Sequence, residues 1–206
     1  IHGHWWTMGK VETYGMQMMP FLHIDGDAFV FDRIKEDNVI CQGLDYKINY
    51  YKECVETCKK AGCVFPEYFE NYIQQKDYDQ FCYNTGIFGG TNNVKIYEYA
   101  QSALKFVKDN KGAWEQLKNV KHKSGLFAIQ EICVMVEQLF MTAYMQSVQQ
   151  QVTCVTPGQA IFFTNNLSYV HMVGELKKHP QYLYTMHEKM CVMFPHEYNR
   201  ILEKYS

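Results

Sequence analysis

A chain of 206 residues, 47% of them hydrophobic, is long enough to bury a sizeable core as one domain with a helical appendage. Its formal net charge of −2 gives no electrostatic argument for nucleic acid or an anionic membrane as partner. No apolar run approaches the roughly 20 residues of a transmembrane helix, and no signal peptide is visible, although the chain starts at Ile1 rather than Met.

Residues 4–17 read as a helix that can place Trp6, Val11 and Tyr14 on one face, weakened by Gly9. It leads into Pro20-Phe21-Leu22-His23-Ile24, a short buried strand that ends in Asp25-Gly26-Asp27. A second apolar run, Phe29-Val30-Phe31, follows. Two carboxylates one residue apart at the end of a buried strand are costly unless a positive charge holds them. A divalent cation with oxygen ligands meets that need. Asp-Gly is equally a common turn signal, and the local sequence leaves both readings open.

Residues 38–42 read as a strand, and Asp45 as the cap of a helix over about 46–61 that Gly62 ends. Pro66 opens a short helix carrying Tyr68, Phe69 and Tyr72. Phe81 to Gly90 reads as strand, break, strand and Gly-rich turn, with Asn84, Thr85 and Gly86 at the break, where a polar ligand could approach the backbone. A helix follows over about 92–109. The stretch 110–124, with Lys118, Lys121, His122 and Lys123, reads as a polar, solvated surface. Ser124 caps the longest helix, about 126–149, with Leu126, Ile129, Cys133, Val136 and Phe140 as its buried stripe.

Pro157-Gly158 reads as a turn, and 160–163 and 168–172 as short strands. The segment 175–190 reads as loop and helix, and Pro195 starts a last helix. Strands alternating with helices give an α/β class. Ligands in open α/β sheets collect beyond the carboxyl ends of the strands, where this reading places Asp25, Asp27, Asn84 and His171. The eight cysteines include no C-x-x-C pair. They read as reduced thiols of a cytoplasmic protein, with a disulfide inside the Cys54–Cys63 cluster as the alternative.

His171-Met172-Val173-Gly174-Glu175-Leu176-Lys177 offers an imidazole at a strand end, a turn glycine, and a lysine able to reach a phosphate oxygen. A lone histidine is more often structural, so this motif gains its weight from the other two. Asp-x-Asp, Asn-Thr-Gly and His-x-x-Gly-x-x-Lys, in that order, resemble the nucleotide-sugar glycosyltransferases of the GT-A fold, and glycosyltransferase family 8 in particular. The stretch Trp5-Trp6-Thr7-Met8-Gly9-Lys10 is similar to one in an uncharacterised family of bacterial glycosyltransferase-like proteins.

The resemblance implies a GT-A-like, Rossmann-like mixed sheet flanked by helices, spanning 1–206 with a helical part from about 175. GT-A domains carry several strand–helix units before the acidic pair, where this chain has 24 residues, so the resemblance implies either that an N-terminal nucleotide-base-binding half lies outside this chain or that the architecture is not a complete GT-A domain. It assigns Asp25, Asp27 and His171 to Mn2+ or Mg2+, and Lys177, Asn84, Gly86 and Lys10 to the donor. Gln130 and Glu131 become the residues nearest the reacting sugar. The donor it implies is a nucleotide sugar, UDP-linked by preference, and the acceptor a carbohydrate or lipid-linked hydroxyl. Here Lys178-His179-Pro180 follows the motif, where family 8 members continue with Pro-Trp.

Two other functions are compatible with the sequence. The 16% aromatic content could equip a non-catalytic carbohydrate-binding module, although a Tyr- and Phe-rich core explains it as well. Exposed aromatics would also permit a homodimer. A hydrolase using Asp25 and Asp27 as an acid/base pair fits less well, because neighbouring-but-one strand residues do not form a glycosidase pair across a substrate.

Overall fold

A computed structural model describes residues 5–46, 49–156, 169–172 and 178–205. The chain is mixed α/β, a small mixed sheet flanked by helices. It divides into two compact units, Ile1–Ile24 with Lys35–Gln159, and Asp25–Ile34 with Ala160–Ser206.

In the larger unit, α1 (Met8–Met16) buries Met8, Val11 and Tyr14. Trp6, expected on that face, is exposed. The strands are β1 (Phe21–Ile24), β3 (Ile40–Tyr46), β4 (Phe81–Gly90) and β5 (Thr153–Cys154); β2 (Ala28–Val30) belongs to the other unit. They order β1-β4-β3-β5. The β1–β4 and β4–β3 pairs are antiparallel, and only β3–β5 is parallel. The sheet therefore does not present all its strand ends on one side, as a fully parallel sheet does.

The ten residues of β4 run as one strand, and the expected break is present as an irregularity in its pairing. The pairing of β3 with β4 jumps from Cys41↔Phe88 to Gly43↔Asn84, which leaves Thr85, Gly86 and Ile87 opposite Gln42. The expected Gly-rich turn is instead the end of the strand. A Cβ on Gly89 would sit 2.1 Å from the Phe21 carbonyl oxygen, and one on Gly90 2.3 Å from that of Asn38. The glycines are there because backbones approach closely on both sides.

Asp45 lies in β3 and caps no helix; α2 (Asn49–Lys60) starts later. Its end is as expected. Gly62 takes φ +76°, with Gly62 N–H donating to Lys59 O and Cys63 N–H to Cys58 O, the Schellman arrangement. α3 (Glu67–Ile73) and α4 (Asn93–Asp109) follow. The next helix, α5 (Lys111–Leu117), corrects the polar reading of that stretch: Ala113, Trp114 and Leu117 are buried.

The unit is built around α6 (Ala128–Ser147), which packs on β4, α2, α3 and α4. It is buried on nearly every side, wider than the stripe expected, and Leu126 lies outside it and exposed. Ser124 accepts from Leu126 N–H instead of capping it. Phe140 is the centre of an aromatic cluster, with ring centroids 4.0 Å from Phe69 and 4.8 Å from Phe106. All eight cysteines are free thiols, so the alternative disulfide among Cys54, Cys58 and Cys63 does not form.

In the smaller unit, β2 pairs antiparallel with β6 (Tyr169–His171). α7 (Pro180–Met193) and α8 (Pro195–Tyr205) pack on each other, α7 starting with Pro180 at a position where a missing N–H costs nothing. Val170, Met172 and Met186 form its core, with Phe29, Phe31 and Tyr182 packed against them. The turn at Pro157-Gly158, the strand at 160–163, Ser168 and Lys177 lie outside the described residues. Among the described residues no helix is long and apolar enough to cross a membrane.

Candidate metal centre

Within the smaller unit the β2–β6 ladder sets Ala28 opposite His171 and Phe29 opposite Val170. Met172 N–H donates to Asp27 O at 2.9 Å, which extends the pairing by one step and fixes Asp27 beside His171. Asp25 enters through a turn closed by Ala28 N–H to Asp25 O, 2.9 Å. Asp25-Gly26 is thus a turn, and that turn is what aims both carboxylates at one point.

His171 Nε2 lies 3.1 Å from Asp27 Oδ1 and 3.9 Å from Asp25 Oδ2. One donor atom from each of Asp25, Asp27 and His171 falls within 4.8 Å of the others. The His171 side chain is 8% exposed, those of Asp25 and Asp27 21% and 30%. The imidazole is held by the core while the carboxylates remain reachable from solvent. Two carboxylates with a neutral imidazole carry two negative charges, which one divalent cation balances. The set of two oxygens and one nitrogen suits Mn2+; Mg2+, which prefers oxygen throughout, is a poorer match.

Lys177 lies outside the described residues; the other candidates lie in the larger unit, where each makes contacts of its own. Asn84, within β4, donates from Nδ2 to Asp45 Oδ2 at 2.7 Å and accepts Gly86 N–H on Oδ1 at 2.8 Å. It closes the irregular stretch of the β3–β4 ladder, and is buried there. Lys10 forms an ion pair with Glu137 Oε1 at 2.6 Å, where Thr85 also donates at 2.6 Å. Gln130 accepts Phe127 N–H on Oε1 at 3.2 Å and so caps α6. Glu131 is buried against His122, Oε2 to Nδ1 2.5 Å. His122 itself corrects the reading of its basic run as solvated: it is 7% exposed while Lys121 and Lys123 beside it face solvent.

Two cavities of about 470 and 500 Å3 open on the larger unit, one beside Tyr68 and Tyr72, the other beside Trp5, Val107 and Trp114. Neither is lined by a candidate site residue.

The profile of a family of unknown function, DUF6734, matches residues 1–204. The chain belongs to DUF6734. No curated protein and no solved structure matches it. In this DUF6734 chain the acidic pair and the histidine, far apart in sequence, meet in one cluster within the smaller unit, while Asn84 and Gly86 sit in the β3–β4 ladder of the larger unit.

Proposed function

We propose that this DUF6734 chain is a metal-dependent glycosyltransferase on a GT-A-like scaffold, moving a sugar from a UDP-sugar donor to an acceptor hydroxyl. The observation that carries this reading is the convergence of Asp25, Asp27 and His171 within 4.8 Å. Asp25, Asp27 and His171 would hold Mn2+. Bound there, the ion supplies electrostatic stabilisation of the charge that develops on the diphosphate as the anomeric C–O bond breaks. His171, anchored by the β2–β6 ladder, fixes the position of the cluster. The more exposed carboxylates of Asp25 and Asp27 face the incoming ligand. Lys177 adds a positive charge for the diphosphate in this reading.

Gln130, Glu131, Asn84, Gly86 and Lys10, which the resemblance assigns to the donor and the reacting sugar, each make a packing or capping contact in the larger unit, and the proposal does not rest on them. The free thiols suit a reducing, cytoplasmic setting. The aromatic content that would equip a carbohydrate-binding module is largely used inside the core, with Tyr51, Tyr99, Phe69, Phe88 and Phe140 fully buried.

The test is a panel of UDP-sugars with Mn2+, reading UDP release and transfer. Asp27→Ala abolishes both while leaving the far-ultraviolet circular dichroism unchanged. Full activity in that variant contradicts the assignment.

A further inference from the structure

We propose that Cys54, His122 and Glu131 form a second metal site in the larger unit, one that takes a thiophilic divalent cation of the zinc class. One sulfur, one nitrogen and one carboxylate oxygen lie within 4.8 Å of one another, on side chains that are all buried. These are the three ligand types that Zn2+ accepts, and a buried carboxylate needs a cation or a charged partner.

The histidine is delivered by a built loop. Val120 O accepts Ala128 N–H at 2.8 Å, and Lys121 bridges to Phe127. His122 N–H donates to Leu126 O at 3.0 Å, and its carbonyl accepts from Gly125 at 2.9 Å, where φ is +85°. That hairpin turns the imidazole inward between two lysines that point outward. Glu53 on α2 also accepts Lys123 N–H.

The imidazole is oriented as a ligand is. Its Nε2 meets Thr57 Oγ1 at 3.0 Å. With the Nε2 proton donated to the hydroxyl, Nδ1 carries the lone pair and faces Glu131. Such an outer hydrogen bond is what commonly fixes the tautomer of a metal-bound histidine. Without a cation, Nδ1 and Glu131 Oε2 face each other at 2.5 Å. Burial, and then the charge of Glu131, push the Cys54 thiol up, so it is protonated in that state. Cation binding displaces the Cys54 thiol proton to solvent, leaving three ligands and an open fourth position for water. The thiolate separates this site from the carboxylate-rich Asp25, Asp27 and His171 cluster, which favours harder ions.

Cobalt(II) titration of the full chain distinguishes the two. One equivalent of Co2+ is expected to give a thiolate-to-cobalt charge-transfer band in the near ultraviolet, and Zn2+ to bleach it. Cys54→Ala abolishes the band, while Asp27→Asn retains it. Absence of the band in the wild-type chain, which requires no variant to fold, overturns the proposal. So does a band of undiminished intensity in Cys54→Ala.

Discussion

The Nε2 of His171 lies 3.1 Å from the Oδ1 of Asp27, although 144 positions separate them in sequence. The contact follows from backbone pairing: once β2 and β6 are in register, His171 faces Ala28 and its side chain reaches the carboxylate next door. A ligand cluster made by a ladder exists before any ion arrives, so little ordering cost attaches to binding. At Mn2+ concentrations of 100 times the dissociation constant the wild-type chain should gain about 2.7 kcal/mol of stability. Asp27→Asn should gain well under 1 kcal/mol by the same rule, because a primary ligand is gone. Thermal unfolding with and without Mn2+ measures both.

Lys10 offers a contrasting prediction. Its amine pairs with Glu137, whose side chain is 1% exposed. Lys10→Met leaves that carboxylate buried without its cation, and should destabilise the chain by about 3–5 kcal/mol in urea unfolding. A loss under about 1 kcal/mol, the scale of a surface pair, would show that Lys10 has no such packing role.

The paired thiols of Cys41 and Cys154 lie 3.6 Å apart across the parallel β3–β5 pair. The hydrogen bond from Cys41 lowers the more exposed Cys154 thiol to about 7. Its folded value lies below its unfolded one, so its contribution to stability is full above the unfolded value near 9.0 and is lost as pH falls through about 7. Reactivity follows the thiolate. Alkylation at Cys154, read by mass spectrometry of the native chain, should rise through about pH 7. Burial pushes Cys133 up to about 11, and it should stay unmodified over that range.

Much of the smaller unit was legible because its signals are local. The acidic pair, Phe29 to Phe31 and the residues before His171 show strand composition and interruption in a few residues each. Pro195 announces the last helix. What misled was context. Gly89 and Gly90 read as a turn, yet they are strand residues whose missing Cβ admits the backbones of β1 and the segment before β3. Trp114 and Leu117 bury one face of α5 inside a Lys-rich stretch whose average polarity hides it. His122 was masked in the same way by Lys121 and Lys123. Asn84 has the residue type of a ligand contact, but its amide completes a strand irregularity that no local pattern records. Glu131, next to the start of α6, is separated from its partner His122 by a hairpin that shows only once it is folded.

The most direct test of the proposed function is calorimetric titration of uridine diphosphate into the full chain with and without Mn2+, repeated with Asp27→Asn. The account predicts binding that requires Mn2+ and disappears in the variant. Binding that is equal with and without Mn2+, or absent in both, would contradict it.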